Sequence, residues 1–103
     1  MVTFNYNADE KIFTLTFTGR MDFVAVGILN ERILAEPVLK ELKPGDKMVF
    51  DLKEVDYIAS SFIRICVLYA KQFGSGRFSI RHCQPFVKKT FKVSGLDDVL
   101  NIT

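Results

Sequence analysis

From Lys11 to Gly19 the chain alternates, with Phe13, Leu15 and Phe17 set against Thr14, Thr16 and Thr18. A two-residue period puts the large apolar side chains on one side of an extended backbone and the threonines on the other, as in a strand with one buried face. Val2, Phe4 and Tyr6 alternate in the same way with Thr3, Asn5 and Asn7. Asn7-Ala8-Asp9-Glu10 supplies turn residues between the two runs, so the first two strands are expected to form a hairpin. Asp22 then stands where it can cap a helix. Val26, Leu29 and Ile33 recur at helical spacing with Glu31 and Arg32 facing outward, until Pro37 and Lys43-Pro44-Gly45-Asp46 interrupt the pattern.

Met48 to Leu52 is short and almost continuously apolar, which predicts a central strand covered on both faces. After Ser60-Ser61, the residues Ile63, Cys66, Val67 and Ala70 form an apolar helical stripe with Arg64 and Lys71 left to water, and Gly74-Ser75-Gly76 ends it. Arg77 to His82 alternates again, with Phe78 and Ile80 inward, as a fourth strand. Pro85 suits the first turn of a last helix carrying Phe86, Val87 and Phe91, and Gly95 sits where a C-terminal cap favours positive φ. Val99, Leu100 and Ile102 form a short apolar tail. The order β-β-α-β-α-β-α favours parallel pairing with right-handed crossovers from residue 22 onward. The expected fold is one α/β domain over residues 1–103, a mixed sheet of four to five strands packed against helices.

Composition narrows the possible chemistry. A chain of 103 residues, 49% apolar and 25% charged, has the size and balance of one folded domain and not of a disordered segment. Fourteen Lys and Arg against twelve Asp and Glu give a net charge of only +2. The nearest approach to a basic patch, Arg77, Arg81, Lys88, Lys89 and Lys92, reads as a solvated face, so nucleic acid is not an expected partner. No apolar run reaches the ~18 residues of a membrane span, and the first residues lack a charged leader followed by an apolar stretch. A cytoplasmic protein is expected, with Cys66 and Cys83 reduced.

Catalytic signals are sparse. His82 is the single histidine, too few for zinc, and as a strand neighbour of Cys83 it would point to the opposite face. No phosphate-cradling glycine loop is present, so no nucleotide or other cofactor is implied. The carboxylate pairs Glu54/Asp56 and Asp97/Asp98 fit an ordinary loop and an ordinary helix start. An enzyme is therefore the least supported class.

Residues 49–66 stand out, running from strand through acidic loop and two serines into a helix. Ser60 and Ser61 lie where the unpaired amides of a helix begin, so a serine there can cap them. A phosphate there would add about −1.5 to −2 charges at the positive end of the helix dipole, facing Glu54 and Asp56. From residue chemistry both roles stay open.

The stretch Asp51-Leu52 through Ala59-Ser60-Ser61-Phe62-Ile63 resembles the signature Asp-Leu-x-x-Val-x-Phe-(Ile or Met)-Asp-Ser-(Ser, Thr or Ala)-Gly-Leu of STAS domains, the anti-sigma factor antagonists and their relatives. Gly19-Arg20-Met21-Asp22 is similar to the family's Gly-x-(Leu, Ile or Met)-Asp element. Pro85-Phe86-Val87 and Ser94-Gly95-Leu96 resemble its later Pro-x-Val and Ser/Thr-Gly-Leu blocks. The three blocks keep the family's order over nearly the whole chain.

The resemblance implies a non-catalytic switch protein that docks a partner through the Asp22 region and the start of the second helix. In the antagonist branch the partner is an anti-sigma factor that is also an ATP-dependent serine kinase. Unphosphorylated antagonist captures it and phosphorylated antagonist releases it. The phosphoserine follows the signature Asp, which puts it at Ser60, with Ser61 beside it. Ala59 stands where the signature has Asp, and Phe62 where it has Gly. The expected partner-binding set is Asp22, Ala59, Ser60, Ser61 and Phe62, with Phe62 either an exposed anchor or turned into the core. The alternative is a STAS subunit of a larger assembly, such as a stress-signalling complex or a lipid-transport ATPase, with no phosphorylation switch.

Overall fold

The computed structural model describes residues 1–36, 43, 45–74 and 76–103. Pro37, Pro44 and Ser75, which the sequence marks among its interruptions, lie outside the described residues.

Strands β1 (Val2–Asn7) and β2 (Ile12–Thr18) pair antiparallel, with Val2 opposite Phe17 and Tyr6 opposite Phe13. The Asn7 side-chain oxygen accepts the backbone N–H groups of Asp9 and Glu10, both at 3.1 Å, which closes the predicted turn. Helix α1 (Phe23–Ala35) leads to β3 (Lys47–Glu54), which lies parallel to β2. Helix α2 (Ser60–Phe73) leads to β4 (Phe78–Arg81), parallel to β3, and α3 (Pro85–Val93) follows. The sheet order is β1-β2-β3-β4. Ile102 adds an isolated parallel bridge to Ile80 at the β4 edge, the trace of a fifth strand.

Because side chains alternate across a strand, register decides which residues share a face. Phe13, Leu15 and Phe17 of β2 line up with Met48, Phe50 and Leu52 of β3 and with Phe78 and Ile80 of β4, all buried. Val26, Leu29 and Ile33 of α1, Phe62, Cys66, Ala70 and Phe73 of α2, and Val87 and Phe91 of α3 join them in one core. The other face, with Thr14, Thr16, Val49, Asp51 and Ser79, is only half-buried. The expectation that β3 is covered on both faces is thus corrected: Val49 extends the apolar run but lies among polar neighbours on the less covered side.

Two smaller corrections concern the helices. The buried stripe of α2 runs Phe62, Cys66, Ala70 and Phe73, with Ile63 and Val67 half-buried at its margin. On α3, Phe86 is exposed while Val87 and Phe91 are buried. The helix ends as expected, with Gly95 at φ 73° and paired reverse bonds from Gly95 N–H to Lys92 O at 2.9 Å and from Leu96 N–H to Phe91 O at 3.1 Å.

Candidate functional site

Strands β2 and β3 are parallel, so their carboxyl ends point the same way and the segments leaving them run side by side. The Gly19 N–H donates to Glu54 O at 3.1 Å, Met21 N–H to Tyr57 O at 2.9 Å, and Ala59 N–H to Met21 O at 2.8 Å. Met21 and Ile58 pair as a parallel bridge, and both side chains are buried beneath it with Val55. Gly19 has φ 90°, a left-handed conformation that suits glycine where the chain leaves β2. Above, the Arg20 guanidinium lies 4.4 Å from the centre of the Tyr57 ring, a cation–π contact across the two loops. This backbone zipper brings the N-termini of α1 and α2 to one end of the sheet.

Asp22 is the N-cap of α1, as the sequence predicts. Its Oδ1 accepts the Ala25 N–H at 2.9 Å, and its backbone oxygen accepts the Val26 N–H at 2.9 Å. At α2 the cap position belongs to Ala59, with extended φ −88° and ψ 165°, and no side chain bonds the first amides. Capping by Ser60 or Ser61 is therefore corrected. A cap needs an extended backbone so that its side-chain oxygen folds back over the amides, and both serines already lie in the helical segment.

Ser60 is the first residue of α2 and is exposed, and its hydroxyl makes no hydrogen bond to another described residue. Ser61 is half-buried, with a buried hydroxyl oxygen that has no partner among the described residues. Phe62 is 0% exposed and meets Phe17 edge-on at 5.3 Å between ring centres and Phe50 at 6.4 Å. Of its two expected positions it takes the inward one, so Phe62 is removed from the set available to a partner. The physical reason is its place as the first core-facing residue of α2.

The structure thus brings together Asp22, Ala59 and Ser60 at the sheet end, with Ser61 turned partly inward. The sequence reading missed Phe23 and Val24, both strongly exposed in the first turn of α1. Their signal was present, since both are apolar and lie off the Val26-Leu29-Ile33 stripe. Glu54 and Asp56 are also exposed nearby in sequence, at the end of β3 and in the loop after it.

The half-covered face carries a separate polar cluster. Asp51 Oδ2 accepts from Arg81 Nε at 3.3 Å and lies 3.2 Å from His82 Nδ1, while Oδ1 accepts the Lys53 N–H at 3.1 Å. Partial burial pushes the Asp51 carboxyl up, but the Lys53 amide and the His82 and Arg81 side chains together hold it below its ordinary value. His82 lies just past β4 with φ 60°, so strand alternation does not govern its direction relative to Cys83. Burial pushes the Cys66 thiol well up and Cys83 to about 11, leaving both protonated at neutral pH. Among the described residues no group of three or more His, Cys, Asp and Glu side chains is placed to hold a metal, and no helix is long and apolar enough to cross a membrane.

The STAS domain profile matches residues 3–103. The chain belongs to the STAS domain family. It is 32% identical over 75 residues to BtrV of Bordetella bronchiseptica, assigned as an anti-sigma factor antagonist. That match spans 67% of this chain and 65% of BtrV, just under two thirds of the relative's length. The STAS fold also matches solved structures. An anti-sigma-factor antagonist (STAS) domain protein from Planctomyces limnophilus superposes with a TM-score of 0.80 at 19% identity, covering 99% of this chain and 87% of that one. An anti-sigma factor antagonist from Mycobacterium paratuberculosis gives 0.76 at 20% identity, covering 99% and 85%. Unphosphorylated SpoIIAA gives 0.75 at 15% identity, covering 100% and 88%. At these identities the structural matches speak for the fold.

Proposed function

We propose that this STAS chain is a non-catalytic, cytoplasmic docking protein of the anti-sigma factor antagonist type, which binds an anti-sigma factor with serine kinase activity and is released when Ser60 is phosphorylated. The observation that carries this reading is the exposed Ser60 hydroxyl on the first turn of α2, at the same sheet end as the Asp22-capped start of α1. The kinase reaches the hydroxyl from solvent, and Asp22, Ala59 and the exposed start of α1 form the surface around it. Ser61, with its hydroxyl oxygen buried, is not the acceptor.

Phosphate on Ser60 adds about −1.5 to −2 charges at a helix end whose amides carry no side-chain cap. The helix dipole favours that charge, so α2 stays folded. A partner surface complementary to the neutral serine meets a bulky dianion. Release therefore follows from lost contact at the face, with the core unchanged.

A second reading, a permanent subunit of a larger stress-signalling or lipid-transport assembly, is favoured by one observation: Ala59 supplies no carboxylate to the docking face. Incubation with the cognate kinase and ATP separates the two. One phosphate is expected by intact mass, lost in Ser60→Ala and retained in Ser61→Ala. Equal modification of both variants would overturn the assignment to Ser60.

A further inference from the structure

We infer that Arg64, one turn into α2, receives the phosphate of Ser60 as an intramolecular ion pair, an inference that rests on the phosphorylation of Ser60 proposed above. Helix α2 contains no Asp or Glu anywhere along Ser60–Phe73. Arg64 therefore has no acidic neighbour at the three- and four-residue spacings where helical side chains meet, which are filled by Ser60, Ser61, Val67 and Leu68. It is exposed, and it makes no ion pair or hydrogen bond with another described residue. The two groups that usually serve a helix start are missing as well, since the cap is Ala59 and the first turn holds no acid.

Helix geometry brings the cation to the serine. Side chains on a helix lean toward its N-terminus, so a long residue lies over the turn before its own Cα. Arg64 thus reaches back over position 60, where Ser60 is exposed at the first helical position. Acid first and base four residues later is the favourable order for such a pair. Phosphate makes it stronger than a carboxylate would, because it carries about −1.5 to −2 charges and offers oxygens that a planar guanidinium takes two at a time.

The other cations near this end of the sheet are committed elsewhere. The Arg20 guanidinium is held 4.4 Å from the centre of the Tyr57 ring. Lys53 lies on the Asp51 side of β3, because Leu52 between them faces the core. Lys88 of α3 lies near Cys83, at the β4 edge. On α1, which packs against α2, Glu31 and Arg32 sit in the last turns, away from this end. The remaining charges, Asp22, Glu54 and Asp56, are acids that repel the phosphate toward Arg64. Pairing folds the phosphate back along α2, so the altered surface runs from Ser60 to Arg64.

The test is a phosphorus NMR pH titration of the full chain with phosphoserine built in at position 60 during translation, which requires no kinase. A guanidinium favours the dianion. The second phosphate ionisation is therefore expected about half a pKa unit lower than in the same phosphoprotein carrying Arg64→Gln. Arg64→Lys should recover part of the difference, and ~1 M salt should remove most of it. Glutamine keeps a helix propensity close to that of arginine, so circular dichroism should be unchanged. Coincident titration curves for the wild-type and Arg64→Gln phosphoproteins, or a larger change on Arg20→Gln than on Arg64→Gln, would overturn the pairing. Failure of the Ser60 switch shows separately, as kinase binding that phosphorylation does not change.

Discussion

Helices α1 and α2 begin at the same end of the sheet, yet they are held in different ways. The first turn of α1 is fixed by a side chain, the Asp22 carboxylate on the Ala25 amide, and its outward residues Phe23 and Val24 are apolar. The first turn of α2 has alanine at its cap and is fixed from below, by Phe62 wedged between Phe17 and Phe50. One start is tied by a polar bond and offers apolar contact. The other is tied by packing, has no side-chain acceptor on its first amides, and begins with the exposed Ser60. A helix anchored through its core side can accept a charged group at its tip without losing its position.

The largest effect should come from removing that anchor. Phe62→Ala leaves a cavity beside the Phe17 and Phe50 rings and is expected to cost about 3–5 kcal/mol in urea denaturation. A loss below about 1 kcal/mol would mean that α2 is held by something other than the ring. The two cap positions should then respond with opposite signs. Asp22→Ala is expected to lower stability by about 1 kcal/mol, while Ala59→Asp supplies α2 with the missing acceptor and should raise it by about 0.5–1 kcal/mol. Equal signs in the two thermal melts would erase the distinction between the helix starts.

Much of this architecture was legible from the chain. The alternation of Phe13, Leu15 and Phe17 with threonines identified β2 and its buried face, and the Gly19-to-Asp22 block marked the capped start of α1. Other features depend on information that periodicity does not carry. Ala59-Ser60-Ser61 contains two good capping side chains, but the cap is decided by which residue keeps an extended backbone, and that residue is Ala59. Ile63 and Val67 drew the expected α2 stripe one residue late, because apolar residues at the margin of a buried face resemble those at its centre. Phe62 in place of the signature glycine gave no direction until Phe17 and Phe50 were seen beneath it. The outward apolar face of α1 escaped notice because an inward stripe, once found, accounts for the helix without its other side.

The central claim is that the start of α2 is the switch surface, and the most direct test is calorimetric titration of the anti-sigma kinase with the chain unmodified and stoichiometrically phosphorylated on Ser60. The account predicts tight binding of the unmodified chain and a loss of at least ~1.4 kcal/mol, tenfold in affinity, on phosphorylation. Equal affinity of the two forms would contradict it.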